Sequence, residues 1–174
     1  MRLSDISSVM VIERTAFPVP WKESAYHYEV AENRLASYQV LTIRLADLPA
    51  KVIGYAGFWM MVDEAHISTI AVASKWRGRG LGHLLLLNLL DLAFKAEASI
   101  ATLEVRKSNN IAQRLYRGYG FAIVGGRRRY YQGTEDALIM TVDPLDKAYQ
   151  SFLRRRQRVL FERLSKELIS VDSL

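Results

Sequence analysis

The most informative stretch of this sequence is Arg77-Gly78-Arg79-Gly80-Leu81-Gly82, which has the form R-x-x-G-x-G. It follows an apolar run at residues 67–72, typical of a buried strand, and opens an apolar run at residues 81–94, typical of a helix. A glycine turn at a helix N-terminus directs backbone N–H groups and the positive end of the helix dipole at one point. Glycine also lets the backbone approach an anion closely. The stretch therefore predicts a phosphate or pyrophosphate site.

Two widespread phosphate motifs do not fit this stretch. The P-loop needs G-x-x-x-x-G-K-[ST], and no Lys-Ser/Thr pair follows here. The dinucleotide fingerprint G-x-G-x-x-G is matched only at its start, by Gly78 and Gly80. Taken alone, the stretch is also compatible with a plain glycine turn before a core helix.

Composition excludes several classes of protein. The chain has 174 residues, 50% hydrophobic and 24% charged, as expected for one globular domain. The absence of cysteine excludes disulfides, thiolate catalysis and cysteine-zinc sites, and the three dispersed histidines lack metal-ligand spacing, so no metal is expected. No apolar run is long enough for a membrane span and no signal-peptide pattern is present, which predicts a cytoplasmic protein.

Half of the net charge of +6 lies in the tail, because residues 145–174 contain 7 basic and 4 acidic side chains. Apolar residues recur there at near-helical spacing, surrounded by arginines. This predicts a basic amphipathic C-terminal helix at residues 144–174, beyond a body at residues 1–143. Such a helix suits a polyanion, an acidic partner or an anionic membrane, and a solvated helix face explains it equally well.

The remaining pattern predicts a mixed central sheet flanked by helices, of the α/β (α+β) class. A helix capped by Ser4 ends at Pro18, and a second runs over residues 21–33. The other predicted elements are strands at 38–45 and 52–62 joined by the turn Leu48-Pro49-Ala50, a strand at 66–72, a helix at 81–96, a strand at 100–105, a helix at 110–119 closed by Gly120, and strands at 121–124 and 137–142.

The glycine turn and its surroundings resemble the GNAT superfamily of acetyl-CoA-dependent N-acetyltransferases, whose signature is [QR]-x-x-G-x-[GA] after a strand. Over about residues 4–142 the chain more specifically resembles the bacterial ribosomal-protein-alanine N-acetyltransferases. The matching blocks are Ala16-Phe17-Pro18, Pro20-Trp21, Asp63-Glu64-Ala65, Ile70-Ala71-Val72, Leu103-Glu104-Val105-Arg106, Ser108-Asn109, Leu115-Tyr116, Gly120-Phe121, Arg128, Tyr130-Tyr131 and Glu135-Asp136-Ala137-Leu138-Ile139-Met140. The glycine turn identifies only the superfamily, whereas the Leu-Glu-Val-Arg-x-Ser-Asn, Tyr-Tyr and Glu-Asp-Ala blocks are more specific to N-terminal acetylation.

The resemblance implies a GNAT fold with one departure. In the family a strand precedes the first helix, whereas here the chain begins at Met1, just before Leu3-Ser4-Asp5-Ile6. Either the first edge strand is missing or Met1 is not the natural start.

The resemblance also implies that acetyl-CoA is the cosubstrate. Backbone amides of Gly78, Arg79, Gly80, Leu81, Gly82 and His83 would hold its pyrophosphate, with added charge from Arg77 or Arg79. Backbone groups of Ile70, Ala71 and Val72 would pair with the pantetheine arm like an added strand. Asn109 would contact the cofactor, and a helix N-cap is the competing explanation for this residue.

Acetyl transfer to an amine needs a base, an oxyanion donor and an acid for the leaving thiolate. Glu104, late in an apolar strand, is the candidate base, and the family has a glutamate in that role. The alternative is a solvent-facing residue or an ion pair with Arg106 or Lys107. Tyr116 is the candidate acid, because a phenol is protonated at neutral pH; the alternative is an aromatic residue packed into the core.

Trp21, Tyr130 and Tyr131 match family positions around the peptide entry, although surface aromatics at a core edge explain them equally well. We therefore expect acetylation of a protein N-terminal α-amine, with the alanine terminus of a small-subunit ribosomal protein as the best substrate. The absence of cysteine favours direct attack in a ternary complex. Alternatives are acetylation of a small amine, such as a polyamine or aminoglycoside, and a non-catalytic acyl-CoA-binding or RNA-binding module.

Overall fold

The computed structural model describes residues 1–44 and 49–171, with side chains as far as residue 166. The helices are α1 (Ile6–Ala16), α2 (Glu23–Ala31), α3 (Leu81–Lys95), α4 (Asn110–Arg117) and α5 (Lys147–Val171). The strands are β1 (Ala36–Ile43), β2 (Lys51–Met61), β3 (Glu64–Val72), β4 (Ile100–Arg106), β5 (Ala122–Tyr131) and β6 (Glu135–Val142).

Within the described residues the strands form one six-stranded sheet in the order β1-β2-β3-β4-β6-β5. Neighbouring strands are antiparallel except β3 and β4, which are parallel and are joined through α3, as a parallel pair requires. The predicted mixed sheet flanked by helices is therefore confirmed. The parallel pairing extends only from Glu64↔Ile100 to Ile67↔Leu103, although both strands continue beyond it.

Helices cover both faces of the sheet. The two faces of β3 pack against different helices: Ala71 lies in the core cluster with residues of α1 and α2, and Ile67 lies in the cluster with residues of α3. The larger core lies on the α3 face, where α3 buries a nearly continuous leucine run. Four leucines of the C-terminal segment are buried in the same core, namely Leu145, Leu153, Leu160 and Leu164. The apolar side of α5 thus packs on the sheet-bearing part of the chain, and each buried leucine stabilises that contact by roughly 1.5–3 kcal/mol.

The N-terminal segment differs from the sequence prediction in its cap. Among the described residues no strand precedes α1, and the ammonium group of Met1 donates to the backbone oxygen of Tyr38 at 2.7 Å. The predicted N-cap at Ser4 is wrong, because a turn of 3-10 helix at Leu3–Asp5 precedes α1. The carboxylate of Asp5 accepts from the backbone N–H of Arg2 at 2.7 Å and closes that turn instead.

The largest error in the predicted elements concerns β5, which spans Ala122–Tyr131 rather than residues 121–124. The glycines and arginines of β5 do not form an apolar strand pattern, so the sequence did not predict its full length. β5 lies at the sheet edge, where one side faces solvent and charged side chains are favoured. Helix α4 ends at Arg117, two residues earlier than predicted, and Gly120 (φ +84°) redirects the chain. The predicted hairpin of β1 and β2 is antiparallel as expected, and Leu45 and Leu48 lie outside the described residues.

Glu13 on α1 is a buried carboxylate that organises the segment between α1 and α2. It is 2% exposed, and it accepts hydrogen bonds from the backbone N–H of Trp21 at 2.8 Å, from the Tyr26 hydroxyl at 3.1 Å and from the Tyr55 hydroxyl. Burial raises the pKa of Glu13, and the hydrogen bonds only partly oppose that rise. Glu13 therefore fixes the position of Trp21.

We expect Glu13→Ala to lower the free energy of unfolding by roughly 1–3 kcal/mol, because it leaves buried donors without an acceptor. Urea denaturation measures this loss, and Glu32→Ala, at an exposed residue, is the matched control. The raised pKa also makes stability fall as pH rises from the ordinary glutamate pKa through the raised one, because only the folded state resists ionisation. Glu13→Gln should flatten that slope. Equal stability of Glu13→Ala and Glu32→Ala would contradict the assigned role.

Candidate active site

A cleft of about 710 Å³ opens where β3 and β4 part. Its walls come from both strands, from the segment between α1 and α2, from α4 and from the end of β5. The structure brings seven of the predicted site residues to this cleft: Trp21, Ile70, Glu104, Asn109, Tyr116, Tyr130 and Tyr131. Ala71, Val72 and the glycine turn are not among its lining residues.

A bulge in the β2–β3 pairing accompanies the separation of β3 from β4. Gly57 pairs with Thr69 and Phe58 with Ile67, so Ser68 is the extra residue on β3. The Ser68 hydroxyl donates to the backbone oxygen of Gly57 at 3.1 Å. A bulge increases local twist and bends the strand. In the described sheet, residues 68–72 consequently have no strand opposite their β4-facing edge, and an extended ligand can pair there.

Glu104 lies on β4 with its side chain 9% exposed. Its Oε2 is 2.9 Å from Nε2 of His66, and its Oε1 accepts from Nε of Arg127 at 3.1 Å. Glu104 thus does not face solvent, and its ion pairs are with His66 and Arg127, whereas Arg106 pairs with Glu135 at 2.8 Å. Glu104 is therefore a nearly buried carboxylate within the cleft.

His66 was missed in the sequence analysis, where it attracted attention only as one of three dispersed histidines. It pairs in register with Thr102, and Thr102 and Glu104 lie on the same face of β4 because side chains alternate along a strand. The register of the parallel pair therefore places His66 beside Glu104. That register could not be read from the sequence alone.

Tyr116 lies on α4, half-buried, with its ring centroid 5.8 Å from that of Phe121. Burial raises the pKa of its phenol above the ordinary tyrosine value, so the hydroxyl is protonated at neutral pH and can donate a proton. Asn109 caps α4, since its side-chain oxygen accepts from the backbone N–H of Ala112 at 3.1 Å. The N-cap explanation for Asn109 holds, and the residue also lines the cleft.

A polar network stiffens the wall around Tyr131. Glu135 accepts from the hydroxyl and the backbone N–H of Ser108, at 2.6 and 3.0 Å, and from Arg106. These hydrogen bonds lower the pKa of Glu135 to about 2. The guanidinium of Arg106 lies 4.0 Å from the ring centroid of Tyr131, whose hydroxyl donates to the backbone oxygen of Glu104 at 3.2 Å. These contacts of Tyr131 with Arg106 and Glu104 link the cleft wall to β4.

Aromatic rings form a second wall. Trp21 stacks on Trp59 with centroids 5.9 Å apart, and Trp59 stacks on His66 at 6.0 Å. Tyr130 and Tyr131 meet edge to face at 5.2 Å. The predicted substrate residues thus belong to ring clusters that border the same cleft.

The glycine turn lies at the N-terminus of α3. Gly78 and Gly80 both have φ of +79°, a left-handed conformation that favours glycine, and Gly80 is the N-cap residue. Arg77 donates to the backbone oxygen of Val72 at 2.9 Å, and the guanidinium of Arg79 lies over the ring of Trp76. Both arginines predicted to add charge are therefore anchored beside the turn.

Two arginines of α5 also lie near the turn, which the sequence analysis did not anticipate. A Cβ added to Gly80 would be 3.4 Å from Nη2 of Arg163. The guanidinium of Arg156 lies over the ring of Tyr119, whose hydroxyl is 3.3 Å from Nδ1 of His83. Burial first, and then the charges of these two arginines, lower the pKa of His83. The surroundings of the turn are accordingly electropositive.

Three further observations concern the residues that the structure describes. No group of three or more histidine, aspartate or glutamate side chains there could hold a metal ion. None of the described helices is both long enough and apolar enough to cross a membrane. A second cleft, of about 300 Å³, lies between β1, α3 and α5 and contains none of the predicted site residues.

Comparison with known proteins identifies the family. The model of the acetyltransferase (GNAT) family matches residues 6–121. The [ribosomal protein bS18]-alanine N-acetyltransferase of Escherichia coli K12 is 34% identical over 145 residues, which cover 82% of this chain and 93% of that protein.

Solved structures of acetyltransferases show the same fold. The crystal structure of the ribosomal-protein-S18-alanine N-acetyltransferase from Escherichia coli superposes with a TM-score of 0.70 and 31% identity, covering 83% of this chain and 90% of that one. Arabidopsis thaliana NAA60 in complex with acetyl-CoA shares the fold, with a TM-score of 0.71 at 19% identity and coverage of 82% and 95%. The chain belongs to the GNAT family of acetyltransferases.

Proposed function

We propose that this enzyme transfers the acetyl group of acetyl-CoA to the α-amino group of a protein N-terminus. The observation that carries this proposal is the convergence of a nearly buried carboxylate, Glu104, and a protonated phenol, Tyr116, on one cleft. The cleft opens beside the free edge of β3, where an extended ligand can pair with the backbone.

Acetyl-CoA would lie along that edge. Its pyrophosphate would bind the backbone amides from Gly78 to His83, which the α3 dipole favours. The arginines around the turn, Arg77 and Arg79 before α3 and Arg156 and Arg163 from α5, support an anionic ligand there. The pantetheine arm would then pair with the backbone of residues 70–72.

The reaction would proceed in one complex of enzyme, acetyl-CoA and acceptor. Glu104, directly or through water, takes a proton from the α-ammonium group, whose pKa of about 7.7–8.0 makes a modest base sufficient. The free amine attacks the thioester carbon, a C–N bond forms, and the C–S bond breaks. Tyr116 gives its hydroxyl proton to the departing sulfur and is reprotonated by the second proton that the acceptor nitrogen loses as the amide forms. Backbone N–H groups at the β3 edge stabilise the oxyanion.

The acceptor we propose is the alanine terminus of a small-subunit ribosomal protein, as the name of the Escherichia coli relative suggests. Trp21, Tyr130 and Tyr131 would border the incoming peptide. A polyamine or aminoglycoside fits less well, because a polycation needs several carboxylates, whereas the described lining of the cleft offers Glu104 and a Glu13 already bound by protein donors. The exposed arginines of α5 would face ribosomal RNA or another polyanion, which agrees with a cytoplasmic location.

An acceptor panel tests the proposal directly. Release of CoA is measured with an alanine-starting peptide, with the same peptide blocked at its α-amine, with spermidine and without acceptor. We expect turnover with the free peptide alone. Faster turnover with spermidine would support the small-amine alternative, and acetyl-CoA binding without turnover on any acceptor would support a non-catalytic module.

Glu104→Gln should lower turnover by about 10²–10⁴-fold near neutral pH, the loss typical of one general base. Because the amine loses its own proton at higher pH, the defect should shrink as pH rises. The pH dependence of kcat/KM measures this, with Glu32→Gln as the exposed control. A defect that is constant with pH would mean that Glu104 acts in another way.

Gly80→Val should weaken acetyl-CoA binding about tenfold or more, because its side chain would block the close backbone approach and contact Leu160. Gly133→Val is the matched control: Gly133 also has a positive φ, of +70°, but a Cβ there meets no atom within 4 Å. Calorimetric titration with acetyl-CoA compares the two variants. The phosphate-site assignment fails if both bind as the unmodified enzyme does.

Tyr116→Phe should lower kcat about 10²-fold or more while leaving acetyl-CoA affinity nearly unchanged, since only the proton donor is removed. Tyr149→Phe, which removes a half-buried hydroxyl outside the cleft, is the control. Single-turnover kinetics separates the chemical step from binding. Loss of affinity with unchanged turnover at saturation would make Tyr116 a binding residue.

A further inference from the structure

Three side chains form a row that leads from solvent into the cleft. Glu64 lies at the start of β3, and its Oε1 is 3.5 Å from Nδ1 of His66. Nε2 of His66 is 2.9 Å from Oε2 of Glu104. Side-chain exposure falls along this row from 30% at Glu64 through 16% at His66 to 9% at Glu104.

The imidazole ring of His66 is held in the orientation in which its two nitrogens face Glu64 and Glu104. One face stacks on Trp59 with an interplanar angle of 13°, and Trp59 is itself stacked on Trp21 at 12°. The indole N–H of Trp59 donates to Glu29 at 2.7 Å, which prevents the indole from turning. The ring of His66 is therefore held by stacking as well as by carboxylates near both of its nitrogens.

The two groups that hold Glu104 differ in rigidity. Arg127 reaches Oε1 from the edge strand β5, and its side chain is 56% exposed. An exposed ion pair contributes little to fixing a geometry, because solvent competes and the long side chain resists immobilisation. His66 is shorter and largely buried, so it is the stronger constraint on the carboxylate.

We propose that His66 is a positioning residue for acetyl transfer: it orients the carboxylate of Glu104 toward the acceptor amine, and Glu64 steadies its ring from the far side. The inference rests on the proposed function, in which Glu104 is the base. A misplaced catalytic group costs up to about 10²-fold in rate. The effect should fall on kcat, because the glycine turn proposed to bind acetyl-CoA lies at the other end of β3.

The test is a set of single and double variants. His66→Ala removes the hydrogen bond to Oε2, whereas His66→Gln retains an N–H donor on a side chain of similar reach. His27→Ala is the matched control, since His27 faces Glu23 at 3.9 Å on α2 and does not line the cleft. Each substitution at residue 66 is made in the unmodified enzyme and in Glu104→Gln, with kcat and both KM values measured and thermal unfolding followed.

We expect His66→Ala to lower kcat by about 10–100-fold with little change in KM for acetyl-CoA. His66→Gln should restore most of that loss, and His27→Ala should match the unmodified enzyme. In the Glu104→Gln background, His66→Ala should lower kcat by less than about twofold, because the effects of groups that act as one unit are not additive.

If His66→Ala lowers kcat as much in the Glu104→Gln enzyme as in the unmodified enzyme, the inference is overturned, since His66 would then act independently of Glu104. Unchanged kcat in His66→Ala, or failure of His66→Gln to restore activity in a folded protein, would also overturn it. If Glu104→Gln itself turns over normally, the proposed function fails first. If Glu104→Gln is impaired and His66→Ala is not, only the role of His66 fails.

Discussion

The structure depends on a single constraint, the parting of two parallel strands. β3 and β4 pair from Glu64↔Ile100 to Ile67↔Leu103 and then separate, although each continues for several residues. The bulge at Ser68 bends β3, and α3 crosses over to bring β4 back beside it. The gap leaves a free backbone edge on one side and exposes the end of β4, with Glu104, on the other. The cleft, its carboxylate and its route for an extended ligand all follow from that separation.

The sequence predicted well those features whose causes are local. An apolar strand, a glycine turn and an apolar helix are adjacent in the chain, so periodicity and the left-handed preference of Gly78 and Gly80 suffice to locate them. Glu104 and Tyr116 became candidate catalytic residues through family resemblance. The sequence alone could show only that a carboxylate in an apolar strand was unusual.

The features that were missed depend on distant contacts. His66 is near Glu104 only because of the register between β3 and β4, and α5 reaches the glycine turn only because its leucines pack against α3. β5 was predicted too short, since an edge strand needs pairing on one side alone and tolerates a run of arginines. Ser4 offered a capping side chain, but it is the carboxylate of Asp5 that accepts the backbone N–H of Arg2 and closes the first turn.

A structure with a bisubstrate conjugate, CoA joined to the α-amine of an alanine-starting peptide, tests the central claim most directly. We expect the pantetheine arm to pair with residues 68–72 of β3 and the pyrophosphate to contact the amides after Gly78. The peptide should leave between Trp21 and Tyr130. The junction nitrogen should lie within direct or single-water reach of the Glu104 carboxylate. A conjugate bound in the cleft between β1, α3 and α5, or a junction far from Glu104, would contradict it.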